Sequence, residues 1–236
     1  LVIFPFETPL YEAAGLPCVY VGHPLIESVK KYRENHPVKS VGGPPVVGLF
    51  PGSREQEIGR LLRPMLDTAR GILRHYPEAH FLTPCVDAAR AVQIRNIAGT
   101  FPLEVLLTPE GDAMYAALSQ VRFAIVASGT ATLETALFGV PMIIAYKVNP
   151  LTYAIARRLV RVDHIGIVNI IAGRRAVPEF VQDAATPEKM LPAALDLIGE
   201  TPARRDMIAA LDTVCAALGG GGASERAAQE ILEMIA

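Results

Sequence analysis

Two short segments carry residue types that together could hold a phosphorylated ligand. Pro51-Gly52-Ser53-Arg54 ends an apolar run, turns on Gly-Ser and delivers a guanidinium to the start of a helical pattern. Ala127-Ser128-Gly129-Thr130-Ala131-Thr132-Leu133-Glu134 turns on small residues and sets a carboxylate one turn inside the following helix. Free N–H groups and the positive end of a helix dipole make such turns anion sites. A carboxylate nearby suits the paired hydroxyls of a sugar. Diphosphate plus ribose is a nucleotide, so the chain reads as a nucleotide-binding α/β unit.

Each residue also has a plainer reading. Arg54 either grips phosphate in bidentate fashion or faces solvent in a turn whose helix Ser53 caps through Oγ. The Ser128-Gly129-Thr130 turn either approaches a ligand closely or only links a strand to a helix. Glu134 sits among Leu133, Ala136, Leu137 and Phe138, where an unpaired carboxylate is costly to bury; ribose hydroxyls, an arginine or solvent must take its charge. Asn169 is the one polar side chain in Ile165-Gly166-Ile167-Val168-Asn169-Ile170-Ile171-Ala172-Gly173, read as an apolar loop or short strand. Its amide bonds backbone or faces a ligand. Arg157, Arg158 and Arg161 lie on one side of a helical pattern over Leu151–Val162, either a solvated face or a surface for anionic membrane.

These residues need a frame, and the apolar runs supply it. They are short and not alternating, as in parallel strands buried on both faces. They fall at Val2–Phe6, Cys18–Val21, Val46–Phe50, His80–Thr83, Leu103–Leu107, Phe123–Val126 and Met142–Tyr146. Helical patterns lie between them; Leu61, Leu62, Met65, Leu66, Ala69 and Ile72 form one stripe of Ile58–His75. The alternation predicts a Rossmann-like, doubly wound parallel sheet. Asn35–Pro45, rich in Pro and Gly, reads as a linker. Helices are expected over Pro187–Ile198, Pro202–Leu218 and Ala223–Ile235, the last two separated by Gly219–Gly222. That glycine run is either a surface loop or a hinge returning the last helix to the leading segment.

Composition narrows the classes. Of 236 residues, 51% are hydrophobic, enough for a sizeable core, and a net charge of −2 argues against nucleic acid as a partner. Cys18, Cys85 and Cys215 are too scattered for a disulfide framework and read as buried, reduced thiols. No apolar run approaches the roughly 18–20 residues that span a bilayer. The five histidines lack metal-ligand spacing, no Asp-x-Asp occurs, and Walker, GxGxxG and Gly-x-Ser-x-Gly patterns are absent. No metal and no cofactor are expected. The chain opens at Leu1 on an apolar run, which suggests that a preceding segment is missing.

Taken in order, the motifs resemble the lipid-A-disaccharide synthase family. The resemblance rests on Phe4-Pro5-Phe6-Glu7, Tyr20-Val21-Gly22-His23-Pro24-Leu25, Pro51–Arg54 with Glu57-Ile58, and Ala127–Glu134. Tyr146-Lys147, Leu159-Val160, Val168–Gly173 and Pro178-Glu179 continue it. It runs over nearly the whole chain, although Gly-Ser-Arg and Ser-Gly-Thr turns also occur in other sugar-nucleotide enzymes.

The resemblance implies the C-terminal half of a two-domain GT-B glycosyltransferase, inverting and metal-independent. Such an enzyme moves 2,3-diacylglucosamine from UDP to 2,3-diacylglucosamine 1-phosphate at the cytoplasmic face of the inner membrane. Residues 1–36 would be the tail of the acceptor domain, 37–222 the UDP-sugar domain, and 223–236 a helix returning to the N-terminal segment. Gly52, Ser53, Arg54, Ser128, Gly129 and Thr130 would hold the diphosphate, Glu134 the ribose, and Asn169 would lie beside the donor. The general base would belong to the missing domain; Glu7 and His23 match family motifs and stand as weak candidates. Oligomeric state stays open, a homo-oligomer included. Two alternatives stay open as well: another GT-B enzyme or UDP-sugar epimerase, and a nucleotide-sensing module without chemistry.

Overall fold

Each apolar run between Val46 and Tyr146 becomes a strand: β1 (Val46–Phe50), β2 (His80–Pro84), β3 (Leu103–Leu106), β4 (Phe123–Ala127) and β5 (Met142–Tyr146). A short β6 (Glu179–Val181), not expected from the sequence, completes a parallel sheet in the order β3-β2-β1-β4-β5-β6. The structure, a computed structural model, describes residues 1–36, 43–107, 112–149, 153 and 163–235. The basic pattern at Leu151–Val162 lies outside the described residues except Tyr153, and most of the expected linker, 37–42, also lies outside them.

The helices are α1 (Glu7–Ala13), α2 (Leu25–Asn35), α3 (Glu55–His75), α4 (Ala88–Ala98), α5 (Ala113–Leu118) and α6 (Thr130–Leu137). They continue with α7 (Ile167–Ala172), α8 (Pro187–Ile198), α9 (Pro202–Ala217) and α10 (Ala223–Ile235). From β1 the chain moves outward to β2 and β3, then returns to the middle and moves the other way through β4 and β5. Right-handed crossovers in opposite directions put their helices on opposite faces, which makes the sheet doubly wound. Ile58, Leu61, Leu62, Met65, Leu66, Ala69 and Ile72 of α3 are all buried, as the stripe predicts. This apolar face holds α3 continuous through Pro64, which contributes no N–H to the helix ladder.

Three expectations fail, each for a local reason. Val2–Phe6 and Cys18–Val21 are not strands: only Val2 and Tyr20 pair, through Val2 N to Val19 O and Val21 N to Val2 O. Pro5 has no N–H to offer, and the Phe4 N–H goes to the Glu7 carboxylate at the start of α1. Ile165–Gly173 contains a helix, α7, which ends on Gly173 in the left-handed conformation. Cys85 is buried, but Cys18 and Cys215 are only half-buried; all three are free thiols.

The glycine run after α9 reverses the chain, with Gly219, Gly221 and Gly222 all at positive φ. The start of α10 thereby meets the leading segment: Ala223 N donates to Glu27 Oε1 at 2.6 Å and Arg226 Nε to Val21 O at 2.9 Å. Farther on, α10 exposes Leu232, Met234 and Ile235, and α1 exposes Leu10 and Tyr11. Among the described residues no helix is long and apolar enough to cross a membrane.

Candidate nucleotide site

The strand order sets the position of the cleft. The direction in which successive strands are added reverses between the parallel strands β1 and β4, and the crevice beyond their carboxyl ends is where open α/β sheets bind ligands. The turn after β1 is Pro51–Arg54 and the turn after β4 is Ser128–Thr130. Both border one cleft of about 390 Å³, with Glu134 lining it as well. Gly48 contributes from beneath: a Cβ there would lie 2.5 Å from the Phe50 ring, which also lines the cleft.

The first turn is built differently from expectation. Ser53 does not cap α3; the N-cap residue is Arg54, and Glu57 reaches back so that Oε2 accepts from Arg54 N at 3.2 Å. This is one half of a capping box, since arginine has no acceptor to complete the other. The Arg54 guanidinium also pairs with Glu57 Oε1 at 2.9 Å while remaining 82% exposed, so it is free to turn toward a ligand. Gly52 holds φ +100, and a Cβ there would overlap the Glu57 carboxylate.

In the second turn Ser128 Oγ donates to Ile165 O at 3.1 Å, so its hydroxyl ties the turn to the loop before α7. Gly129 and Thr130 remain exposed at the head of α6; Thr132 N turns back to Gly129 O at 3.1 Å, while the Thr130 and Ala131 N–H groups have no backbone acceptor among the described residues. Glu134 is half-buried with no ion pair or hydrogen bond to its carboxylate among the described residues. Burial alone pushes its pKa from the ordinary 4.5 to about 7. Among the described residues Glu134 has neither an arginine partner nor a fully solvated face, which leaves the reading of an acceptor that lines a cleft.

Asn169 is not in the cleft. It is fully buried, donating Nδ2 to Val177 O at 2.8 Å and to Glu179 Oε1 at 2.7 Å, and accepting from Val177 N at 2.8 Å. Glu179 in turn accepts from Ile165 N and Gly166 N. The amide therefore supports, through Glu179, the loop that Ser128 holds. Glu7 and His23 also lie outside the cleft. Glu7 accepts from Phe4 N, and His23 Nδ1 accepts from Leu25 N while its ring packs on Phe4. Burial lowers the His23 pKa, as befits a neutral internal imidazole.

Sequence reasoning missed the third wall, Pro84–Val86 at the end of β2 with Arg90 of α4, where Arg90 pairs with Glu55 at 3.1 Å. Its signal was available, because β2 ends at the same sheet edge. A second hollow, about 880 Å³, shares Arg54, Glu57 and Ser128 with the cleft and adds Arg60, Tyr146 and Lys147. Among the described residues no three His, Cys, Asp or Glu side chains are grouped to hold a metal ion.

Fold and cleft together define a Rossmann-like α/β domain with its crevice at the topological switch point. Solved structures share this architecture. A UDP-GlcNAc 2-epimerase from Neisseria meningitidis superposes over 99% of this chain and 60% of its own, with TM-score 0.62 at 12% identity. A glycosyltransferase from Rickettsia africae covers 89% of this chain and 52% of its own, with TM-score 0.53 at 12% identity. Sequence is more specific. The family model for lipid-A-disaccharide synthetase matches residues 1–230, and the chain belongs to that family. The lipid-A-disaccharide synthase of Geobacter sulfurreducens is 43% identical over 99% of this chain, and that of Pseudomonas paraeruginosa 38% over 100%. The chain spans 62% of the length of each.

Proposed function

We propose that the chain is the donor-nucleotide half of an inverting glycosyltransferase of lipid A assembly. It would bind UDP-2,3-diacylglucosamine, whose sugar passes to the 6-hydroxyl of 2,3-diacylglucosamine 1-phosphate. Family membership supports the reaction. The observation that carries the donor site is Glu134, a half-buried carboxylate without a partner among the described residues, in a cleft bounded by two helix N-termini. Paired ribose hydroxyls would donate to its two oxygens. The diphosphate would lie on the Gly52–Arg54 and Gly129–Thr130 backbones, with Arg54 offsetting the charge that develops as UDP departs. One fold relative is bound to UDP-GlcNAc and another, from S. aureus, to UDP, which agrees with this reading.

No metal is assigned a role. The base that deprotonates the acceptor hydroxyl belongs, in this reading, to the part of the relatives' length outside this chain, since Glu7 and His23 are local caps. Residues 1–36 are then the tail of the acceptor domain, 37–222 the donor domain and 223–236 the helix that closes back on the tail. The exposed apolar residues of α1 and α10 suit contact with the inner membrane surface or with that further domain.

Calorimetric titration with UDP, without added metal, tests the site. Saturable binding without disaccharide formation is expected of this chain; product formation would refute the division of labour. Arg54→Ala should weaken UDP by about 10- to 100-fold, the value of a charge-assisted contact of about 1.5–3 kcal/mol. The melting temperature should barely move, because the side chain is 82% exposed. Wild-type affinity in that variant would remove Arg54 from the site.

A further inference from the structure

The turn after β1 already holds an anion, and that anion is part of the protein. Three features equip this turn for phosphate: the open face of Gly52, the Arg54 N–H and the Arg54 guanidinium. Glu57 engages all three. Its Oε2 accepts from Arg54 N at 3.2 Å, its Oε1 pairs with Arg54 Nη1 at 2.9 Å, and its carboxylate fills the space where a Gly52 side chain would be. Glu57 also lines both the cleft and the adjoining hollow.

We propose that the Glu57 carboxylate is a built-in surrogate for the ligand's phosphate. It occupies the anion position of the unliganded site and swings away when a diphosphate enters. This rests on the reading of the cleft as a UDP site. A phosphate oxygen and the Glu57 carboxylate cannot share the Gly52 face, for want of space and because two like charges about 4 Å apart repel even in a solvated turn. The carboxylate is one-third exposed and sits on a flexible side chain, so an outward rotamer toward the larger hollow is open to it. The arrangement keeps Arg54 and the turn ordered while the site is empty. It also weakens retention of the nucleoside diphosphate, which favours release of the product.

Glu57→Gln separates cap from charge. A glutamine at this third helical position still accepts from the N-cap N–H, so the melting transition should stay near that of the wild type. The full chain and this variant are titrated with UDP and with uridine. The proposal expects Glu57→Gln to bind UDP about tenfold tighter and uridine unchanged, because only the phosphate-bearing ligand meets the removed charge. Glu57→Ala, which removes cap and charge together, should shift UDP affinity in the same direction. Equal or weaker UDP binding by Glu57→Gln would overturn the proposal and make Glu57 a residue that positions Arg54 for the ligand. If neither protein binds UDP, the nucleotide reading fails and the surrogate with it. A wild-type chain that binds UDP, beside a variant that binds no better, defeats the surrogate alone.

Discussion

Glu134→Gln is expected to make the unliganded protein more stable at pH 8 while loosening its hold on UDP. The carboxylate titrates near 7 in the folded chain against an ordinary 4.5, with burial as the cause. The folded state therefore keeps a proton that the unfolded state gives up between those values. Stability must fall as pH rises through that window, and the full deficit stands above pH 7. The shift corresponds to about 3 kcal/mol at most, and water at the cleft mouth reduces this to about 2 kcal/mol. Glutamine has no proton to lose, so denaturant curves of wild type and variant should coincide near pH 4.5 and separate by pH 8. Parallel curves at every pH would mean that Glu134 is solvated and is no ribose acceptor.

Binding reads the same group with the opposite sign. Hydroxyl donors favour the ionised carboxylate, so UDP should lower the Glu134 pKa and release a proton near neutrality. Between pH 6 and 8 this contribution strengthens wild-type binding by about tenfold, following the ionised fraction of a group titrating near 7. Phosphate ionisation adds a pH dependence of its own, common to both proteins. The difference between wild type and Glu134→Gln isolates the carboxylate. Calorimetry in buffers of different ionisation enthalpy should show proton release for the wild type that the variant lacks. A residue that destabilises the empty fold and is relieved by ligand behaves as a binding group does.

What could be read from the sequence follows from how local each signal is. The turns after β1 and β4 were legible because strand, small-residue turn and helix start are consecutive, and parallel strands bring their carboxyl ends to one edge. The α3 stripe was legible for the same reason of short-range period. Phe4–Phe6 was misread because an apolar run with a proline is compatible with a strand until the Phe4 N–H is seen bonded to Glu7. Ser53 is of a residue type favoured as a cap, yet the N-cap N–H is met by Glu57, three residues beyond Arg54. Asn169 was undecidable, since its partners Val177 and Glu179 lie 8 and 10 residues downstream, beyond the turn at Gly173, and no short-range period pairs them with it.

The same bonds make the loss of Asn169 costly to the fold. Asn169→Leu keeps the branched shape of the side chain but replaces the amide with methyl groups and deletes three hydrogen bonds in a buried place. Val177, itself fully buried, would keep an N–H and a C=O with no partner, each costing about 1–3 kcal/mol. Glu179 would lose one of its three donors and hold Ile165 and Gly166 less firmly. The expected loss is about 3–5 kcal/mol, read as a large fall in the urea midpoint. Asn169→Asp should fare no better, because it keeps the acceptor for Val177 N but replaces both donated bonds with a second carboxylate facing Glu179. UDP binding supplies the discriminating readout. If Asn169 acts through the loop that Ser128 holds, variants that remain folded at low temperature should bind UDP more weakly while keeping the Glu134 proton release. A stable Asn169→Leu that loses only UDP affinity would instead place the amide at the donor, against its bonding to Val177 and Glu179.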